Sequence, residues 1–266
     1  MERVFLIHGL KRTGNHALVS WIRLHTKFAF FNNVIPMYYI LKKEIEFPEV
    51  IDFKDWLRPR LYTQRRKLLQ KFHFVQFLNE SPLCLKSVMV SLEDHELTVR
   101  PFTGVPCTFR NILILRDPYN IFASRIRKSA KDHRNLVYPS QNNEYMKRVT
   151  ELWKAHAREF LGETDHLENR VVIYFNRWFS DLNYRKQISL DLGLDFTDAG
   201  FSMVSHKGGG SSFDGTSFNG DNSNMNVLDR RNNLSDKEQA LLDEVIDDEI
   251  KELAQRIENF IEEKNG

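Results

Sequence analysis

Short runs of apolar residues alternate along the chain with longer segments whose apolar positions recur at helical spacing. The run over 4–7 is followed by a glycine-containing loop and by a helical pattern over 16–24. The run over 112–115 is followed by Asp117-Pro118 and by a helical pattern over 121–130. Strands that alternate with helices in this order are typical of a parallel sheet covered by helices. The pattern therefore predicts an α/β fold with a central parallel sheet flanked by helices.

Further segments continue this pattern towards the C-terminus. Apolar runs predict two more strands, over 83–90 and 171–174. Helical spacing predicts two more helices, over 144–160 and 235–261. Ser235 and Glu238 have the spacing of a capping box at the start of the last of these helices. The sheet should therefore have at least four strands.

Two segments depart from this regular order. The first, 48–79, has a helical pattern and no acidic residue over 58–71, which is typical of an exposed helix face or of a lid or surface for an anionic substrate. The second, 207–226, is rich in Gly, Ser and Asn and is typical of a flexible linker or of a loop that wraps a ligand. No shift of composition divides the chain, so we expect one domain over 1–266 that contains both segments.

The overall charge is nearly balanced, with 38 Lys and Arg residues against 36 Asp and Glu residues. We therefore expect no nucleic-acid partner, and any basic site must be local. Cys84 and Cys107 lie in apolar surroundings without metal-ligand spacing, which predicts buried free thiols. The longest uncharged run, 28–41, is too short and too polar to span a bilayer. Because the N-terminus lacks the basic region of a signal peptide, we expect a soluble, cytoplasmic protein.

The loop between the first strand and the first helix, Gly9-Leu10-Lys11-Arg12-Thr13-Gly14-Asn15-His16, is placed to bind an anion. At such a position the backbone N–H groups and the helix dipole both favour negative charge. In the P-loop pattern GxxxxGK[ST], Asn15 stands where the lysine is required and His16 where the magnesium-binding hydroxyl is required. A nucleoside triphosphate with Mg²⁺ is therefore disfavoured, while Lys11 and Arg12 supply cationic charge. The alternative is a strand-to-helix turn with a basic surface pair.

A second loop repeats this arrangement at the end of the strand predicted over 112–115. Arg116 follows that strand directly, and Ser124 lies within the next helix. Both side chains can face one anion. The alternative is an ion pair at the start of a helix together with a surface serine.

Together the two loops resemble those of the P-loop sulfotransferases that use 3′-phosphoadenosine-5′-phosphosulfate (PAPS). Arg12-Thr13-Gly14-Asn15 is similar to the family's [KR]-[ST]-G-[TS] loop for the 5′-phosphosulfate, with Asn in the last place. Arg116 and Ser124 have the spacing of the family's 3′-phosphate pair. His206-Lys207-Gly208-Gly209-Gly210-Ser211-Ser212-Phe213 is similar to its third element, a basic residue followed by glycine.

The resemblance implies a three-layer P-loop core, PAPS as donor, 3′-phosphoadenosine-5′-phosphate (PAP) as product and no metal. It implies that the donor is bound by Arg12, Thr13, Gly14, Asn15, His16, Arg116, Ser124, Lys207, Gly208, Gly209 and Ser211. For His16 a helix-capping or packing role is the alternative. Phe213 would pack on the adenine or anchor a lid.

The implied reaction moves a sulfuryl group to a hydroxyl acceptor. Arg12, assisted by Lys11, would stabilise the charge on the leaving oxygen. Glu93 is the preferred base, ahead of Asp94 and His95, which follow the same predicted strand. The basic run over 58–71 favours a carbohydrate or glycolipid acceptor, on a glycan or at a membrane surface.

Two other functions remain open on the sequence. A P-loop kinase or NTPase with a divergent loop would bind ATP with Mg²⁺. A binding module that keeps the nucleotide site without turnover would bind PAP and transfer nothing.

Overall fold

The protein is described by a computed structural model over residues 4–25, 29–33, 88–99, 109–131, 143–202, 213 and 225–263. Several features predicted above lie outside these residues. They are the basic segment 48–79, both cysteines, and all of the loop 207–226 except Phe213 and its last two residues. The roles expected for Lys207, Gly208, Gly209 and Ser211 therefore stay predictions.

A five-stranded parallel sheet forms the centre of the fold. Its strands are β1 Val4–Gly9, β2 Ala29–Asn32, β3 Val88–Glu93, β4 Phe109–Leu115 and β5 Arg170–Tyr174, in the order β2-β3-β1-β4-β5. In the centre of the sheet Val4 pairs with Val88 on one side and with Phe109 on the other. Because all strands run the same way, the loops after β1, β3 and β4 meet at one edge of the sheet.

Helices connect and cover the strands. They are α1 Asn15–His25, α2 Pro118–Lys131, α3 Asn143–Leu161, α4 Phe175–Ser180, α5 Leu182–Asp191, α6 Asp236–Val245 and α7 Asp248–Glu263, with a 3₁₀ helix over Arg230–Asn233. The predicted α/β fold is thereby confirmed. Within the described ranges, no helix is both long and apolar enough to cross a membrane.

Alternate residues of the strands belong to two separate hydrophobic cores. On β4, Ile112 and Ile114 pack with α1, α4 and α5, whereas Leu113 and Leu115 pack with α2, α3, α6 and α7. Successive side chains of a strand point to opposite faces, so a continuous apolar run serves a sheet that is covered on both sides. The fold therefore has three layers, a sheet between two layers of helices.

The structure corrects the prediction of one helix over 235–261. The capping box is present, since Ser235 Oγ accepts a hydrogen bond from the Glu238 N–H and the Glu238 side chain accepts one from the Ser235 N–H. The helix ends at Val245, because Ile246 turns into the core. Asp247 then caps α7 by accepting a hydrogen bond from the Ile250 N–H at 2.8 Å. Helical periodicity alone does not reveal this break.

The pattern also missed strand β2, which contains Phe30 and Phe31. Phe30 is half-buried and packs against the core on the α1 face of the sheet. β2 is a four-residue strand with half-buried side chains, and among the described strands it pairs with β3.

Candidate functional site

The loop over 10–14 joins β1 to α1 and has a backbone that few residue types adopt. Arg12 has φ 75° and Gly14 has φ 109°, both in the left-handed region. A Cβ on Gly14 would overlap the ring of Phe175, which follows β5. A Cβ on Gly9 would lie 2.7 Å from both Asn15 Oδ1 and Ile114 Cγ2. The two glycines therefore let the loop pass between strand ends without a steric clash.

Thr13 and Asn15 are buried within this loop, at 1% and 4% exposure. Among the described residues, Thr13 Oγ1 has no hydrogen-bond partner. A buried hydroxyl without a partner costs about 1–3 kcal/mol, so it is a natural contact for a ligand oxygen. The Asn15 amide donates to the Leu10 carbonyl at 3.1 Å and to Glu93 Oε1 at 3.0 Å. Asn15 thus links the loop to the end of β3.

Two guanidinium groups converge on the hydroxyl of Ser124, which is fully buried on α2. Arg12 Nε donates to Ser124 Oγ at 3.1 Å, and Arg230 Nη1 donates to the same oxygen at 3.4 Å. The structure therefore joins the first loop, the second loop and the C-terminal segment at one point. Two cations around one hydroxyl form a site for an anion with several oxygens.

Arg116 lies behind this point and is 1% exposed. Its Nη1 donates to the Arg12 carbonyl at 3.2 Å, and its Nη2 donates to the Val227 carbonyl. Burial lowers the pKa of Arg116 to about 10, with Asp117 opposing this effect and the positive charge of Arg12 adding to it. Arg116 therefore ties the first loop to the segment after the glycine-rich loop and places a third positive charge at the site.

Arg230 is a further residue of this site, and neither of the first two loops nor the resemblance indicates it. This residue begins the 3₁₀ helix and is 6% exposed. Its backbone N–H donates to Asn120 Oδ1 at 2.7 Å, which fixes it against α2. The aromatic ring of Phe213 lies 5.9 Å from its guanidinium carbon and 4.9 Å from that of Arg127. The available signal was a basic pair, Arg230-Arg231, between the glycine-rich loop and the capping box.

Lys11 was expected to assist Arg12 in catalysis, and the structure places its side chain against an acid. Lys11 Nζ lies 3.4 Å from Asp94 Oδ2, and the Lys11 N–H donates to Asp94 Oδ1 at 3.0 Å. Its side chain is 31% exposed. Lys11 is thus brought to the site with its ammonium group directed towards the end of β3.

The three candidate bases occupy different surroundings. Glu93 ends β3 and its Oε1 accepts from Asn15. Asp94 is paired with Arg125 at 2.5 Å and with Lys11; burial alone would raise the pKa of Asp94, but these cations lower it. His95 Nε2 lies 2.9 Å from Asn33 Oδ1, and the pKa of His95 is lowered chiefly by burial. Asp94 is therefore committed to its ion pairs with Arg125 and Lys11.

Two further histidines have distinct environments. His16, the second residue of α1, is half-buried and packs edge-to-face against Phe30 with ring centroids 6.3 Å apart. His8 is buried in β1, and its Nε2 lies 2.9 Å from Asn111 Oδ1. His16 thus lies between the first loop and β2, while His8 joins β1 to β4.

Comparison with known proteins gives similarity at the level of the fold. No protein-family model and no curated protein matches the sequence. A solved sulfotransferase domain from the curacin biosynthetic pathway is 11% identical and has a TM-score of 0.49, with 97% of this chain and 98% of that chain covered.

Two other solved structures are similar to the chain. A sulfotransferase from Alicyclobacillus acidocaldarius is 14% identical, with 78% and 88% coverage and a TM-score of 0.45. Mouse sulfotransferase SULT7A1 complexed with PAP is 15% identical, with 96% and 89% coverage and a TM-score of 0.47. All three are sulfotransferases, and at these identities the likeness concerns the fold alone.

Proposed function

We propose that the protein is a sulfotransferase that uses PAPS as donor, transfers its sulfuryl group to a hydroxyl acceptor and releases PAP. The observation that carries this proposal is the convergence of Arg12 and Arg230 on Ser124, with Arg116 directly behind them. Such a cluster suits a dianionic phosphate outside the first loop. The loop itself offers a second anion site, so the donor should carry anionic groups at two separate positions.

The residues present fit PAPS in three respects. The buried Thr13 hydroxyl lacks a hydrogen-bond partner among the described residues. Gly14 directly precedes α1, at whose N-terminus backbone N–H groups attract an anion. The absence of the P-loop lysine at Asn15 disfavours a triphosphate with Mg²⁺. These features favour PAPS over ATP.

In this proposal the chain's anion-binding groups divide between the two ends of the nucleotide. The loop over 10–14, with Thr13, Gly14 and His16, holds the 5′-phosphosulfate, and Asn15 supports the loop through its bonds to Leu10 and Glu93. Ser124 and Arg230 hold the 3′-phosphate, with Arg116 supplying charge from behind. Lys207, Gly208, Gly209 and Ser211 are proposed to close over the same phosphate.

When bound, PAPS supplies a sulfuryl group that leaves its phosphate oxygen for the acceptor oxygen. The Nε of Arg12 stays with Ser124, and its two Nη groups are proposed to donate to the oxygens on which negative charge develops. Lys11 adds positive charge nearby. Glu93 accepts the proton of the acceptor hydroxyl, since it lies at the carboxyl end of β3 next to the first loop.

The acceptor is proposed to be a carbohydrate or glycolipid, on the basis of the basic run over 58–71. A panel of sugars, glycolipids, phenols and amines tests this, with ³⁵S-labelled PAPS as donor and wild type compared with Glu93→Gln. Labelled carbohydrate formed by the wild type alone is the expected result. Transfer only to phenols or amines would refute the acceptor class, and PAP binding without any transfer would favour a non-catalytic module.

A further inference from the structure

The residue after β3, Asp94, contacts the first loop at the residue before Arg12. Its backbone N–H donates to the Gly9 carbonyl at 3.2 Å, and its Oδ1 accepts from the Lys11 N–H at 3.0 Å. The φ of Asp94 is 59°, so the chain turns sharply there and brings the carboxylate back towards the loop. Asp94 is 8% exposed, and its contacts with the loop are therefore shielded from solvent.

Arg125 completes the contact from the opposite side. Its Nη2 donates both to Asp94 Oδ1 at 2.5 Å and to the Lys11 carbonyl at 2.9 Å. The Nη1 of Arg125 donates to the Tyr145 hydroxyl at 2.7 Å, which orients the guanidinium from α3. Asp94 thus binds the N–H of Lys11, and Arg125 binds the Lys11 carbonyl.

Arg125 directly follows Ser124 on α2. One turn of this helix therefore reaches the first loop at two successive residues: Arg125 binds the Lys11 carbonyl and Ser124 accepts from the Arg12 side chain. Between these two contacts Arg12 keeps a left-handed backbone, a conformation that a non-glycine residue adopts only when its surroundings impose it. The peptide units around Lys11 supply that constraint.

We propose that Asp94 and Arg125 are positioning residues that hold the first loop in its anion-binding conformation and direct the Arg12 guanidinium to Ser124. This inference rests on the proposed function, because the conformation matters for the binding of PAPS and PAP. It also assigns Asp94 a role other than that of a base. The pair acts on the donor through the loop and does not itself contact it.

The test compares two substitutions in this pair with a matched control. Asp94→Asn removes the negative charge that holds Arg125. Arg125→Lys keeps a cation for Asp94 but loses the planar guanidinium that donates to both Asp94 and the Lys11 carbonyl. Asp198→Asn is the control, since Asp198 forms a bidentate pair with Arg185 at 2.8 Å and contacts Trp21, towards the end of α1 away from the loop. Each variant is assayed by thermal unfolding, PAP calorimetry and amide hydrogen exchange.

In the nucleotide-free protein we expect faster exchange over 9–16 in Asp94→Asn and Arg125→Lys and unchanged exchange there in Asp198→Asn. PAP affinity should fall by about 10- to 100-fold in the first two variants and stay within about twofold of wild type in the control. If Asp94→Asn does not fold, Arg125→Lys decides. Unchanged exchange over 9–16, or unchanged PAP affinity, would overturn the positioning role. Failure of the wild type to bind PAP would instead refute the proposed function, and the exchange measurement would still decide whether this pair holds the loop.

Discussion

The Nη1 of Arg230 lies 3.4 Å from the Oγ of Ser124, although the two residues are 106 positions apart in the chain. Ser124 lies on the helix after β4, and Arg230 follows the glycine-rich loop. Their contact brings the C-terminal segment to the same anion site as Arg12. This contact adds Arg230 to the residues proposed for that site.

Arg230→Ala should weaken PAP binding by about 10- to 100-fold, because a charge-assisted bond to phosphate is worth about 1.5–3 kcal/mol. ADP, which lacks the 3′-phosphate, should bind the variant and the wild type equally. Arg231→Ala is the matched control, since Arg231 is exposed and its guanidinium lies over the ring of Tyr119. Calorimetry measures the affinity of all three proteins for PAP and for ADP. An equal loss of PAP and ADP affinity in Arg230→Ala would argue against contact with the 3′-phosphate.

Gly14→Ala should destabilise the protein by at least about 2 kcal/mol and abolish PAP binding, because the new Cβ meets the ring of Phe175 at a positive φ. Gly162→Ala separates the effect of the positive φ from the effect of the contact with Phe175. Gly162 also has a positive φ, 81°, but its Cβ would come no closer than 3.8 Å to a neighbouring side chain. The control should therefore lose only about 1 kcal/mol. Denaturant unfolding of both variants measures the difference, and equal losses would mean that the contact with Phe175 is unimportant.

Glu93→Gln should lower the rate of sulfuryl transfer by about 10²- to 10⁴-fold, because an amide cannot accept the acceptor's proton. PAP affinity should remain near that of the wild type, since Gln still offers an oxygen to the Asn15 amide. Single-turnover kinetics with PAPS, together with PAP calorimetry, separate the two effects. A full transfer rate in Glu93→Gln, together with a large loss of rate in His95→Gln, would show that His95 is the base.

The stability of the fold should depend on pH through His156. Its ring is fully buried, its Nε2 donates to the His95 carbonyl, and burial lowers the pKa of His156 to about 4 from 6.5. Between these values the unfolded chain binds the proton and the folded protein does not, so stability falls as the pH drops from about 6.5 to 4. At one pKa unit per 1.36 kcal/mol, the loss is on the order of 3 kcal/mol.

Denaturant unfolding at several pH values between 7.5 and 4.5 measures this dependence. His156→Gln keeps a donor for the His95 carbonyl and has no titrating ring, so its stability should vary less over the same range. A variant with the same pH dependence as the wild type would show that His156 is not responsible.

The sequence predicted the parts of the site that are local in the chain. Gly9 and Gly14 follow directly from a strand end and a helix start, whereas the pairing of Arg116 with Ser124 at a phosphate was implied by the resemblance. The position of Arg230 was not predictable in this way, because its backbone is fixed by Asn120 across a long separation. The role of Asp94 likewise depends on a left-handed turn that meets Arg125 only in the folded chain.

The same distinction explains the errors in secondary structure. Helical spacing continues across 246 and 247, but the burial of Ile246 and the capping by Asp247 end one helix and begin another. β2 is defined by its pairing with β3. Patterns of apolar residues report burial, whereas pairing and breaks depend on neighbours that are remote in sequence.

Calorimetric titration of the wild-type protein with PAP and with ADP, both without Mg²⁺, tests the proposed donor most directly. The cluster around Ser124 predicts that PAP binds at least about 100-fold more tightly than ADP, since two or more charge-assisted bonds to the 3′-phosphate distinguish them. Equal affinity for PAP and ADP, or a preference for ATP with Mg²⁺ in the same titration, would contradict a PAPS-dependent function.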